Sequence, residues 1–173
     1  MGLKGIDMTT NLQFITSSSG ENIADLSITN CFSAQYNVYQ VILDTIEFAS
    51  GDMSFRFINS SGTVTSANYD DAVLLQRSYG AYADNNNEDA TSLGSIGFDD
   101  DQNGGGATFI TVYNPFASDT YTYANWQNTG QSGIGTPVRR GIGVLTVAES
   151  HTGINLVGNA TIEKVSARVY GVL

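Results

Sequence analysis

One stretch of the sequence constrains the fold more than any other, the largely apolar run from Tyr36 to Ile58. In its first half, up to Leu43, both alternating sets of positions contain apolar side chains, which is typical of a central strand covered on both faces. The segment from Ala49 to Asp52 contains turn residues. From Met53 to Phe57 apolar and polar residues alternate, which indicates a strand with one buried face. We therefore predict a β-hairpin at the centre of an all-β domain.

Strand patterns recur along the rest of the chain. The 173 residues include 19 Gly, 9 Tyr and 8 Phe, a profile that favours many short strands joined by turns over helices. Further strands are predicted at 12–16, 23–28, 64–67, 107–113, 120–123, 138–147, 154–157 and 162–172, with a turn at Ser17–Gly20. The predicted fold class is all-β, an antiparallel two-sheet β-sandwich of the jelly-roll kind.

At this length the chain is expected to form a single β-sandwich domain over residues 1–173, with residues 1–11 as a candidate N-terminal arm. The first ten residues are either a first edge segment or an arm that reaches a neighbouring subunit. They lack the apolar core of a signal peptide, so no secretion signal is expected. A chain of this kind that acts outside a cell would be released by lysis or carried on a particle.

Two segments do not follow the simple strand pattern. Asp70 and Asp71 would be suitable caps for a helix over Ala72–Tyr79, but the residues of that segment alternate as they would in a strand, and we predict a strand. Ala83–Gly106 is rich in Asn, Asp and Gly. We expect it to be a long polar loop, in which only Ser92–Phe98 has the pattern of a strand.

The net charge of −10 excludes several classes of partner. Nucleic-acid binding requires clustered Lys and Arg, and of the seven Lys and Arg residues only Arg139 and Arg140 are adjacent. No apolar run approaches the roughly 18 residues of a membrane span. We therefore expect neither a nucleic acid nor a membrane as partner.

The acidic run from Asp99 to Gly104 resembles the opening of a calcium-binding loop, with oxygen ligands at Asp99, Asp101 and Asn103 and a glycine that permits the sharp turn. The twelfth position of such a loop should be a bidentate Glu, and here it is Ile110. The run is therefore half of a motif. A solvated acidic loop is the favoured interpretation, and whether this run binds calcium is left open.

No catalytic, cofactor or metal residues are predicted. Cys31 is the only cysteine and His151 the only histidine, so a zinc site dominated by His and Cys cannot form. A G-x-S-x-G elbow for a Ser-His-Asp triad is absent. We expect Cys31 to be a buried small hydrophobe and His151 to be an exposed loop residue. Carboxylates are plentiful, but no pair is singled out for glycoside hydrolysis.

Several aromatic residues between positions 79 and 126 allow two interpretations. Their rings either pack in the core and at strand ends, which is the favoured interpretation, or form a stacking platform for sugars. The residues concerned are Tyr79, Tyr82, Tyr113, Phe116, Tyr121, Tyr123 and Trp126.

Several motifs resemble a family of small virion proteins of tailed bacteriophages, especially phages of marine bacteria. A strand ends in Y-N-P at Ile110–Pro115, and a Tyr/Thr-rich strand follows at Asp119–Trp126. Thr152–Leu156 has the pattern T-G-I-x-L, and the last strand ends with an aromatic residue, Gly and an aliphatic residue at Val169–Val172. The run Tyr36–Phe57, with its Y-x-x-Y start and F-R-F end, is also similar.

The resemblance implies a β-sandwich that assembles on the surface of the virion, as a capsid decoration or a tail- or fibre-associated subunit, without enzymatic activity. It implies other virion proteins as partners, namely major capsid or tail proteins, and assembly into a homo-oligomer, for which we predict a trimer. The alternative is a receptor- or carbohydrate-binding module of a tail fibre, with a glycan of the host surface as its partner. A hydrolase ranks third.

Overall fold

A computed structural model of the chain describes residues 11–48, 51–78, 80, 82–97, 106–130 and 136–173. Within these residues the backbone forms ten strands and no helix, so the all-β prediction is confirmed. The strands are β1 (Leu12–Ile28), β2 (Val38–Phe48), β3 (Met53–Asn59), β4 (Gly62–Thr63), β5 (Tyr69–Arg77), β6 (Ala83–Ala90), β7 (Ala107–Tyr113), β8 (Thr122–Thr129), β9 (Pro137–Leu145) and β10 (Gly153–Val172).

All ten strands belong to one antiparallel sheet, organised around β10. The order of hydrogen-bonded neighbours is β4-β3-β10-β2-β7-β8-β9-β5-β6, and β1 pairs with the other edge of β10. The 20 residues of β10 are enough to pair with β1 along one edge and with both β2 and β3 along the other. The arrangement in two separate sheets stays a prediction, because the hydrogen bonding of the described strands is continuous.

The predicted central hairpin is wrong. β2 pairs with the second half of β10, from Phe48 opposite Ile162, and β3 pairs with the first half, from Met53 opposite Gly158. Both strands are antiparallel to β10, so they run in the same direction, one after the other. Asp52 at the interruption is held to β10 because its N–H donates to Asn159 Oδ1 at 2.8 Å. Of the predicted turn, residues 49 and 50 lie outside the described residues.

The predicted turn at Ser17–Gly20 is also wrong. These residues continue β1, with Ser17 opposite Arg168 and Gly20 opposite Val165. Turn-forming residues do not reverse the chain here, because β10 offers a backbone partner along the whole of β1. The pairing between β1 and β10 is instead interrupted by two register shifts, at Phe14/Thr16 and Ile23/Asp25.

The strand prediction for Ala72–Tyr79 is confirmed by β5, within the described residues. The prediction of a loop from Ala83 is wrong over its first eight residues, which form β6 and pair with β5. β6 is polar because it is an edge strand that is stabilised by backbone hydrogen bonds and buries little side-chain surface. The predicted strand Ser92–Phe98 is described up to residue 97, and within that part only Leu93 forms a β-bridge, to Phe55.

The chain after β6 returns to β3, at the other end of the strand order, so the sheet is curled. The amides and carbonyls of Phe55 and Leu93 exchange two hydrogen bonds of 2.9 Å, and Ile96 N–H donates to Met53 O at 2.8 Å. Arg139 of β9 reaches across the curl and donates from Nη1 to Asp52 Oδ2 at 2.7 Å.

The core lies on the concave side of this curl. The rings of Trp126 on β8 and Phe55 on β3 meet edge to face at 5.6 Å between centroids. The Tyr69 hydroxyl accepts a hydrogen bond of 3.0 Å from Phe57 N–H and donates one of 3.0 Å to Val64 O. Strands that are distant in the sheet order therefore share one apolar interior, and their other faces form the outer surface.

Candidate functional site

A groove on the outer surface, opposite the core, is the candidate functional site. It crosses β5 to β9 and has a volume of about 530 Å³. We call it the outer groove, and its outward-facing side chains are Asp70, Ala72, Asn86, Glu88, Tyr113, Tyr123, Asn125, Ile142 and Val144.

The register of the sheet brings these side chains together. In β8 every second residue is buried, so that Tyr123 and Asn125 face outward while Trp126 faces the core. Tyr123 lies opposite Tyr113 of β7 on one side and Val144 of β9 on the other. One row therefore runs across four strands and ends at Asp70 of β5, which lies opposite Val144.

The groove exists because small side chains lie between large ones. Ala72 and Val144 form its floor, between the ring of Tyr123 and the polar side chains of β6. From Tyr123 on β8 to Asp70 on β5 the separation is two strand spacings, or about 10 Å. Ile142 stands at the rim with 64% of its surface exposed, an unusual exposure for an aliphatic residue in the middle of a strand.

The polar groups of the outer groove include several acceptors. Asn125 Nδ2 donates to the Tyr113 hydroxyl at 3.0 Å, which leaves the Asn125 carbonyl oxygen for other donors. Asp70 Oδ1 accepts from the N–H of Asp89 at 3.0 Å. Asp89 has a φ of 52° at a bulge in β6, and this bulge places Glu88 at the end of the groove. Among the described residues no Lys, Arg or His lines it.

The aromatic residues of this set divide between the core and the outer surface. Trp126 is a core residue, only 3% exposed, and its Nε1 donates to Ser95 O at 3.3 Å. Tyr113 and Tyr123 come together in the outer groove. Tyr82 and Tyr121 are exposed elsewhere on the surface. Tyr79 lies outside the described residues.

The prediction of an exposed His151 is wrong. Its side chain is fully buried, with Nδ1 2.9 Å from Thr122 Oγ1 and Nε2 3.2 Å from Glu149 Oε1. Its ring packs against Phe57 at 5.2 Å between centroids. Burial lowers the pKa of His151, and the hydrogen bond to the Glu149 carboxylate opposes this only in part. We infer that the ring is neutral at pH 7 and holds its loop against the sheet.

Burial of Cys31 is confirmed, with 2% of its surface exposed. Its thiol donates to Ile28 O at 3.4 Å, and burial raises its pKa to about 12. A buried, protonated thiol is a poor nucleophile.

We therefore expect Cys31 to resist thiol reagents in the native protein. At pH 8 its reaction with a disulfide reagent such as DTNB should be at least about a hundredfold slower than in the chain unfolded by guanidinium, because the thiolate is scarce and access is blocked. Rapid labelling of the folded protein, with an unchanged circular dichroism spectrum, would show that the thiol is not enclosed.

No metal site can be assigned to the described part of the chain, in which no three His, Cys, Asp or Glu side chains converge. The predicted calcium-loop residues Asp99, Asp101 and Asn103 lie outside the described residues. Among the residues that are described, no helix has the length and apolar character needed to cross a membrane.

No protein-family model matches the chain, and no curated protein matches it.

Proposed function

We propose that the chain is a non-enzymatic structural subunit of a bacteriophage virion, which assembles on the particle surface as a capsid decoration or tail-associated protein. The observation that carries this proposal is the second edge of β1 after Leu12, along which no described strand pairs. This strand has 17 residues, and among the described strands it pairs only with β10. Long open edges are templates for pairing with another chain.

The sequence of β1 does little to protect this edge. Between the two register shifts, Thr16–Glu21 pairs regularly with β10 and contains mainly Ser and Gly. Exposed edges of monomeric proteins usually have charged residues, Pro, bulges or very short strands, and between its two register shifts β1 has only Glu21 of these features. Small side chains allow a further strand to approach the backbone closely. This edge therefore suits β-augmentation by another subunit.

Aromatic surface near the same edge supports an interface. Phe14 of β1 is 52% exposed, and its ring lies edge to face on Tyr170 of β10 at 5.7 Å. Exposed aromatic rings are typical of the centre of protein interfaces. A trimer requires that β1 of one copy meets a different surface of the next copy, because a strand that pairs with itself gives a dimer.

We also propose that the curled sheet is a jelly-roll-like sandwich. The contact of Trp126 on β8 with Phe55 on β3 supports two facing layers, as sheets in a sandwich pack with their inner side chains interdigitated.

The oligomeric state of the protein in solution tests whether subunits assemble through the edge of β1. We expect the wild-type chain to have the mass of a trimer by light scattering after gel filtration. The double substitution Ser17→Lys/Ser19→Lys should give a monomer, because both serines are exposed on β1 and lysine opposes edge pairing. The matched control is Ser118→Lys/Thr120→Lys, which adds the same charges to an exposed loop and should leave the trimer intact. A monomeric wild type, or an edge variant that stays trimeric, would refute assembly through β1.

A second candidate function, a receptor- or carbohydrate-binding module, is favoured by one specific observation. Tyr113 and Tyr123 lie side by side in the outer groove, with the amide of Asn125 on the same strand as Tyr123 and the carboxylate of Asp70 two strands away. Aromatic rings flanked by a few polar groups are suited to the apolar faces and hydroxyls of sugars.

A further inference from the structure

We propose that the outer groove binds a saccharide that carries no acidic group, with neutral and amine-bearing sugars as its ligands. This inference rests on the second candidate function and specifies its ligand class. It depends on three features of the groove, which are the stacking surface, the hydrogen-bonding groups and the charge.

The stacking surface is the exposed ring of Tyr123. It is 47% exposed in the middle of a sheet face, although a large aromatic side chain in a strand is usually buried. Tyr113 extends this surface along the same row. The floor of Ala72 and Val144 leaves room beside the rings, so a pyranose can rest its apolar face on Tyr123 and direct its hydroxyls toward β5 and β6.

The oxygen acceptors of the groove favour a ligand that donates hydrogen bonds. Asn125 uses one of its two amide N–H groups on the Tyr113 hydroxyl and presents its carbonyl oxygen. Asp70 has one oxygen engaged by Asp89 N–H, and the other has no partner among the described residues. Glu88 is exposed at the end of the groove. A sugar hydroxyl or ammonium group can donate to each of these oxygens.

The charge of the outer groove excludes acidic sugars. Two exposed or half-buried carboxylates, Asp70 and Glu88, line it, and among the described residues no Lys, Arg or His does so. The chain as a whole has a net charge of −10. A uronate or sulfate would place like charges together in a partly desolvated site. A neutral sugar avoids this repulsion, and an ammonium group is attracted to the two carboxylates.

The test is an NMR or calorimetric titration of the full chain with three oligosaccharides of similar length: a neutral glucan, a glucosamine oligomer and a uronate oligomer. We expect binding of the first two and none of the third. Tyr123→Ala should weaken binding about tenfold. Tyr121→Ala, which removes an exposed ring outside the groove, should leave affinity unchanged. Asp70→Asn/Glu88→Gln should weaken the glucosamine oligomer selectively and admit the uronate.

The possible outcomes distinguish failure of the proposed ligand class from failure of the carbohydrate-binding function. Equal binding of the uronate oligomer would overturn the exclusion of acidic sugars and leave carbohydrate binding in place. Equal losses in Tyr121→Ala and Tyr123→Ala would overturn the assignment of the site to the outer groove. Absence of binding to all three oligosaccharides would overturn the carbohydrate-binding function. If no oligosaccharide bound and Tyr123 were buried from solvent in the oligomer, a second copy of the chain would be the occupant of the groove.

Discussion

Trp126→Ala should lower the free energy of unfolding by about 3–5 kcal/mol, the range for removal of a large buried aromatic side chain. The ring lies on the inner face of β8, 3% exposed, and contacts Phe55 across the interior. Its loss leaves a cavity at the place where opposite parts of the curled sheet meet. Chemical denaturation followed by circular dichroism measures the change, since the substitution removes the only tryptophan.

Phe109→Ala is the matched control, because Phe109 is an aromatic residue of the adjacent strand β7 whose side chain is 50% exposed on the outer surface. We expect it to lower stability by less than about 1 kcal/mol. Gly141 supplies a second control, since a Cβ added there would overlap the Trp126 ring. Gly141→Ala should be clearly destabilising in the wild type and less so in the Trp126→Ala background. Equal losses for Trp126→Ala and Phe109→Ala would contradict the inner position of Trp126.

The protein should lose stability as the pH falls below about 6.5, because of His151. Burial lowers the pKa of this residue from the value of 6.5 that it has when exposed. As the pH falls through 6.5, the unfolded chain takes up a proton at His151 before the folded chain does, so that unfolding is favoured. The slope from this one group approaches at most about 1.4 kcal/mol per pH unit, and it ends below the folded-state pKa.

Denaturant midpoints measured between pH 5 and pH 7 test this expectation. His151→Gln should be less stable than the wild type at pH 7, because the ring packs on Phe57 and bonds to Thr122, but its stability should vary less with pH. Glu149→Gln should extend the acid-sensitive range to lower pH, because the Glu149 carboxylate raises the pKa of His151. The same pH slope in His151→Gln and the wild type would assign the acid sensitivity to other groups.

The sequence identified strands better than their partners. The alternation of Met53–Phe57 correctly indicated a strand with a buried face, but the hairpin was wrong because the long strand β10 pairs with both β2 and β3. Local patterns contain no information on such distant partners. β6 was missed for a related reason, since a polar edge strand has no apolar alternation and is recognisable only from its backbone pairing with β5.

The candidate site was predictable in part. Tyr113 and Tyr123 belonged to the aromatic set for which packing in the core and at strand ends was the favoured interpretation and a stacking platform the alternative, and both line the outer groove. Asp70 and Glu88 were not predicted as site residues, because only the register of four strands and a bulge in β6 place them in the same groove as the tyrosines. Burial of His151 could not be foreseen from its turn-like surroundings, since Thr122 lies 29 residues away in sequence.

Quantitative mass spectrometry of purified phage particles tests the proposed function most directly. We expect the chain to remain with the particles through density-gradient purification, in many copies that are a multiple of three. We also expect hydrogen exchange in the Thr16–Glu21 segment of β1 to be slower on the particle than in the Ser17→Lys/Ser19→Lys monomer. Recovery of the chain only as a free protein in the lysate, with none on the particles, would contradict a structural role in the virion.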